Sequence, residues 1–307
     1  MDMDKTMNKQ TNTYLGVTFN VIGSALFAAM FAYASLLGEI GSQEVYGWRI
    51  LFTIPLLTIF ILSNGYWPQV QDIVSRLFRE RYFLLTRLLS SFLIGIQLWL
   101  FMWGPVNGYG LAVSLGYFIM PITMVAVGWV AFKDKLSRFQ KLACLFAVVG
   151  VLNQLAISQT LSWPTLVVCL GYPIYFWLRH KTGTNHIGGI WFDMLLSLPF
   201  SVYFIVNGGH VLYTLPTSYN ALWLVFGLGI ISALALAFQS LSAPHLNLSL
   251  FGLLVYVEPV MLVLVAILLG ETIAPAEWPT YIAIWLAVIV LIAEGYVSLK
   301  RRPRTVK

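Results

Sequence analysis

The chain has 307 residues, of which 59% are apolar or aromatic and 10% charged, too few charges to cover the surface of a water-soluble globule. A bilayer core of about 30 Å asks for roughly 20 apolar residues per helix, and the sequence divides into about ten such pieces, which points to a polytopic membrane protein. The net charge of +6 does not indicate nucleic acid, because the basic residues sit at helix ends and not on a soluble basic face. The only cysteines, Cys144 and Cys169, lie in apolar runs, which speaks against a disulfide framework or a zinc site.

Apolar runs predict helices over 13–37, 45–64, 82–103, 109–132, 139–158, 163–179, 187–206, 219–241, 246–270 and 278–299. The first run is far longer than the core of a signal peptide and reads as a retained helix. Every one of the 18 Lys and Arg residues except Arg49 falls at the N-terminus, after the second, fourth and sixth helices, or in the tail. The positive-inside rule then places both termini in the cytoplasm, which an even number of spans also requires. Trp48, Trp103, Trp163 and Trp278 mark the outer interface, and Trp67, Trp129, Trp177 and Trp191 the inner one.

The halves 1–158 and 159–307 share a faint pattern. Pro105, Pro121 and Asp134 in the first match Pro244, Pro259 and Glu271 in the second at nearly equal spacings. Five helices is an odd number, so the halves must enter the bilayer in opposite senses. An inverted repeat of this kind carries its binding site near the bilayer midplane in many secondary transporters. The charges obey the inversion: Lys133-Asp134-Lys135 is basic, whereas the stretch from Gly270 to Glu277 has no Lys or Arg.

A polar group at membrane depth is costly and marks a functional hypothesis. Glu258, about twelve residues into the ninth predicted helix, is the sharpest case. A carboxylate so deep must be protonated, paired with a cation, or facing a wet cavity, or else donate a hydrogen bond across helices as a protonated structural acid. Pro259 should bend the helix beside it. Asp193 in the seventh helix is either functional or a helix-to-helix tie. Arg49 reads as an ion pair with Glu39 or Glu44 at the outer mouth, or as a site for an anionic group on a substrate. Ser114 and Tyr117 lie three residues apart in the fourth helix, where Pro121 mirrors Pro259 as a hinge for rocking. Gln97, Trp103 and Tyr256 complete the candidate binding or coupling set; Asn20, Asn153 and Gln239 read as interhelical hydrogen bonds. No catalytic residues, metal ligands or cofactor site are expected, because no zincin, nucleophile-elbow or phosphate-loop motif occurs.

The run from Trp103 to Pro121, with Ser114-Leu115-Gly116-Tyr117-Phe118-Ile119-Met120-Pro121, resembles the drug/metabolite transporter superfamily, in particular the EamA family and its RarD branch. Glu44 with Arg49, Leu178-Arg179 with Lys181, Asp193 with Pro199, Tyr256 with Pro259, and Gly270-Glu271 extend the likeness over almost the whole chain. The resemblance implies ten helices in two inverted five-helix repeats, a cavity lined mainly by the first, third, fourth, sixth, eighth and ninth, and export of drugs or small metabolites across a bacterial-type inner membrane. Members of the branch often carry chloramphenicol-sensitivity or permease labels, which fix no substrate. Phe27, Phe31, Ser35, Ala112 and Met120 depart from the branch pattern, and Glu258 then suggests a cationic or zwitterionic substrate.

The sequence thus leads to an all-α exporter of small amphiphilic molecules working by alternating access, with the bilayer, a small-molecule substrate and protons as partners and no nucleic acid. A passive pore and an intramembrane enzyme are the rival readings. The sequence does not fix the oligomeric state.

Overall fold

The computed structural model describes residues 13–158, 162–214, 219–268 and 274–300. Gly270-Glu271, the N-terminal lysines and the basic tail beyond Lys300 lie outside the described residues, and the side chains of Phe31, Ser35 and Pro105 are not described. Helices account for nearly all of the rest, as hydrocarbon demands: without water, backbone N–H and C=O groups must be satisfied within the segment.

In chain order the helices are α1 (Thr13–Ala34), α2 (Ser42–Ser63), α3 (Trp67–Arg79), α4 (Phe83–Val106), α5 (Gly110–Phe132), α6 (Arg138–Ser158) and α7 (Trp163–Lys181). They continue with α8 (Ile187–Gly208), α9 (His210–Thr214), α10 (Asn220–Ser242), α11 (Leu248–Leu254), α12 (Val257–Leu268) and α13 (Trp278–Lys300). Eight of them, α1, α2, α4, α5, α6, α8, α10 and α13, are long and apolar enough to cross a bilayer. α7 ends in Arg179, His180 and Lys181, which dilute its apolar run.

Two elements depart from the sequence reading. The connector after the second span contains α3, whose Val70 and Ile73 are buried against α8 while Phe78 is 89% exposed. Apolar residues at helical spacing on an otherwise polar stretch make it amphipathic. The ninth run, expected as one bent helix over 246–270, is broken into α11 and α12.

Local chemistry fixes several ends. Trp-Pro opens α3, α7 and α13, a position where proline forfeits no helical hydrogen bond. His186 Nδ1 accepts from Gly189 N at the start of α8, and Asn247 Oδ1 from Leu250 N at the start of α11. Gly209, at φ 69°, closes α8 in the left-handed conformation that suits glycine.

The main packing pairs are α1 with α10, α4 with α7, α5 with α7, α1 with α12, α2 with α10, and α4 with α8. α2 also packs on α8, α6 on α13, and α5 on α11. Lipid offers no hydrophobic drive for these contacts, so close backbone approach carries them. At Gly116 a Cβ would stand 2.6 Å from Val168 Cβ and 3.0 Å from Thr165 O, so α5 meets α7 there only because the residue is glycine. Asn153 ties α6 to α13 by donating to Thr280 Oγ1 and Ala276 O, an interhelical bond as read from the sequence. Glu294 accepts from Gln140 Nε2.

Candidate functional site

The break between α11 and α12 sets the geometry. Pro259 has no N–H to give to Val255 O four residues earlier. The chain responds with shorter turns: Tyr256 N donates to Leu253 O at 3.2 Å and Glu258 N to Val255 O at 3.1 Å. Pro259 thereby falls in the first turn of a new helix, where proline is tolerated. Glu258 also lies in that first turn, at the end whose free N–H groups favour a carboxylate. The sequence reading bent a continuous helix at Pro259; the structure interrupts it at Val255-Tyr256. Tyr256 is fully buried and its hydroxyl donates to Phe118 O at 2.7 Å, fastening the interruption to α5. It holds the break and does not line the cavity.

Glu258 borders a cavity of about 30 Å³, space for about two water molecules. Its other polar lining groups are Arg49 of α2, Tyr117 of α5, Tyr172 of α7 and Gln239 of α10, and its apolar wall includes Phe27, Met30, Phe101 and Phe176. The lining draws on the predicted first, third, fourth, sixth, eighth and ninth helices, as the resemblance implies, and adds the second through Arg49. The Tyr117 and Tyr172 hydroxyls are 3.3 Å apart.

Arg49 overturns its ion-pair reading. Its Nε donates to Ser232 Oγ at 2.9 Å, and among the described residues no carboxylate lies within salt-bridge distance of it. Glu44 is committed elsewhere: its carboxylate accepts from Trp48 Nε1 and from the backbone N–H groups of His210 and Val211, at 3.2, 2.9 and 2.8 Å. These contacts commit the Glu44 carboxylate to the start of α9, and it makes no ion pair with Arg49. The fully buried guanidinium turns inward to the cavity, with Nη1 and Nη2 unpartnered among the described residues.

Asp193 lies in a second, dry cluster. Arg87 Nη1 meets Asp193 Oδ1 at 3.3 Å, and Ser90 Oγ donates to Asp193 Oδ2 at 2.8 Å, with both charged side chains fully buried. Arg87 Nη2 reaches Thr182 Oγ1 at 3.1 Å. Arg179 donates to Tyr175 Oη, Thr184 O and His186 O, binding the α7–α8 turn to the same knot. The cluster joins α4, α7 and α8, and geometry makes Asp193 a structural partner there.

The remaining sequence candidates scatter. Ser114 is exposed on α5, off the cavity; one helical residue rotates about 100°, so three residues do not keep it beside Tyr117 on a narrow lining face. Gln97 is buried and donates to Val167 O at 2.7 Å. Trp103 stacks between Trp99 and Tyr109, with centroids 4.9 and 5.4 Å away. Pro121 lies inside a helix assigned without interruption, unlike its counterpart Pro259. Sequence reasoning passed over Tyr172, a hydroxyl within the sixth predicted helix next to Pro173. It also took Gln239 for an interhelical tie, whereas the side chain lines the cavity.

The fold is that of a multi-pass helical membrane protein, with eight helices among the described residues long and apolar enough to cross a bilayer. The chloramphenicol-sensitive protein RarD of Pseudomonas aeruginosa is 37% identical to the chain, covering 94% of this chain and 97% of the relative. An uncharacterized transporter of Pasteurella multocida is 33% identical, covering 94% and 98%. A solved crystal structure superposes with a TM-score of 0.63 at 12% identity, covering 92% of this chain and 98% of its own, and so shares the fold. No family model matches. The chain belongs to the RarD-like permeases of the drug/metabolite transporter superfamily, multi-pass proteins of the bacterial inner membrane.

Proposed function

We propose that the protein is a secondary active exporter of small amphiphilic metabolites or drugs, built from two inverted five-helix repeats, residues 1–158 and 159–307, with both termini in the cytoplasm. The packing supports the repeat. Matching α1, α2, α4, α5 and α6 with α7, α8, α10, α11–α12 and α13 turns the α1–α10 contact into the α7–α4 contact. The same exchange turns α5–α7 into α12–α1 and α2–α10 into α8–α4, and returns α2–α8, α5–α11 and α6–α13 to themselves.

The observation that carries the transport reading is an interrupted helix presenting Glu258 to a cavity that also holds Arg49. Broken helices at membrane depth are tolerated where they line a cavity, and in transporters they form the substrate and ion sites. A cavity of about 30 Å³ is far below the roughly 300 Å³ of a ligand pocket, so cargo enters only if the helices part. That favours alternating access over a standing pore. The α11–α12 break just before Pro259, with Pro121 in the matching helix of the other half, supplies the hinge, and Glu258 takes up and releases the coupling proton. The names of the relatives and the lack of a catalytic constellation among the candidate residues support a transporter over an enzyme.

The test compares metabolites inside and outside cells that make the wild type, Glu258→Gln, or no protein, with and without a collapsed pH gradient. The expected result is a set of compounds depleted from wild-type cells in a gradient-dependent way and retained by the Glu258→Gln cells. Depletion unaffected by either change would overturn proton coupling, and no depletion at all would overturn export.

A further inference from the structure

Two of the three guanidinium nitrogens of Arg49 are buried without a hydrogen-bond acceptor among the described residues, and unmade hydrogen bonds to a buried cation are expensive at membrane depth. Its surroundings are specific. The Tyr117 and Tyr172 hydroxyls, 3.3 Å apart, share one hydrogen bond, so the accepting hydroxyl keeps its own proton to donate elsewhere. A planar fork of N–H groups beside a free hydroxyl fits the two oxygens of a carboxylate. Phe27, Met30, Phe101 and Phe176 on the surrounding wall suit an apolar body. Building on the transporter reading, we propose that Arg49 and the Tyr117–Tyr172 pair bind the carboxylate of an apolar-bodied substrate, and that Glu258 takes up one proton as that anion enters, so that acid and proton cross together and net export runs down the substrate's own gradient.

Charge balance gives the second half. The empty cavity holds one guanidinium and one carboxylate, which compensate each other across it. A bound carboxylate would leave a net negative charge in a low-dielectric chamber, and Glu258 is the carboxyl group lining that chamber. The balanced step is Glu258 carboxylate plus hydronium giving Glu258 carboxylic acid plus water, with the substrate ion-paired to Arg49 and no covalent bond changed. Glu258 sees Arg49 from α2, Tyr117 from α5 and Tyr172 from α7. The helices packed most extensively on α12 are α1 and α13; their titratable groups with described side chains, Tyr14, Tyr33, Tyr281 and Glu294, do not line the cavity.

The test titrates benzoate, benzamide and benzylammonium into the full chain in phosphatidylcholine nanodiscs, by calorimetry in two buffers of different ionisation enthalpy. Benzoate should bind at least about tenfold more tightly than either probe lacking the anion, with about one proton taken up at alkaline pH and a Kd that rises about tenfold per pH unit there. Glu258→Gln should bind benzoate more tightly than the wild type at pH 8, without proton uptake or pH slope. Arg49→Gln should weaken binding at least about tenfold, and Arg49→Lys, which keeps the charge but not the fork, should also weaken it. If the Arg49 variants do not fold, the comparison of wild type with Glu258→Gln still decides. No benzoate binding, equal binding of benzamide or benzylammonium, or benzoate binding without proton uptake would each overturn the proposal. Counterflow in proteoliposomes separates the two readings: benzoate bound but not carried refutes transport and keeps the anion site, whereas benzylammonium carried without benzoate binding refutes the anion site and keeps transport.

Discussion

Replacing Asp193 with Ala leaves Arg87 buried with no counter-ion. The pair meets at 3.3 Å with both side chains at 0% exposure, and Arg87 Nε lacks a partner even in the intact protein. Removing one member of such a pair costs about 3–5 kcal/mol, because the orphaned charge keeps its desolvation penalty. Here the loss should fall toward the lower end, about 3 kcal/mol, since Thr182 Oγ1 still accepts from Nη2 at 3.1 Å. Removing both charges with Arg87→Met and Asp193→Leu should restore most of that, leaving about 1 kcal/mol for the Ser90 hydroxyl stripped of its acceptor. Equilibrium unfolding of the purified chain in a single detergent reads all three proteins. A loss below about 1 kcal/mol for the single variant, or a double variant no more stable than the single one, would refute the account of a dry structural pair. Transport adds an independent check: Asp193→Asn should lower the folded yield and leave the pH dependence of transport in place, the reverse of Glu258→Gln.

Two further outcomes follow from local geometry. Tyr256→Phe strips the hydroxyl that donates to Phe118 O at 2.7 Å; a loss of about 1 kcal/mol is expected with benzoate affinity unchanged, and a changed affinity would mean that Tyr256 reaches the cavity. Outside the membrane, the hydrogen bond from Arg76 holds the exposed Glu80 carboxyl below its ordinary range, with smaller Coulomb contributions from Arg76 and Arg79. A depressed carboxylate contributes stability above its unfolded pKa and loses it as pH falls through the folded value. Glu80→Gln should therefore lower stability slightly at neutral pH, converge with the wild type below the folded pKa of Glu80, and so flatten the acid side of the stability–pH curve; a neutral side left unchanged would contradict the pairing.

Much of the fold was legible along the chain because a bilayer imposes length. Lipid thickness sets the run of apolar residues per span, and tryptophans, arginines and lysines mark where each run meets water. The amphipathic helix α3 was missed, although Val70, Ile73 and Leu77 recur at helical spacing, because the segment is too short and polar to register as a span. Glu258 stood out as a carboxylate far from either end of an apolar run.

What sequence alone left open was the rotation of each helix about its axis. A transmembrane helix is apolar toward lipid and toward protein, so its pattern carries little record of which face looks inward. Ser114 and Tyr117 read alike along the chain, yet one is exposed and the other lines the cavity. Glu44 and Arg49 looked like mates until α9 brought two backbone N–H groups to the carboxylate. The Arg87–Asp193 pair joins residues 106 positions apart, a separation that no local spacing encodes. Amino-acid order therefore pointed to most of the apolar spans and to the acid deep within one of them, because those depend on transfer into lipid one segment at a time. Helix packing alone decided which charges pair and which face an empty chamber, because pairing depends on distances that exist only after the helices meet.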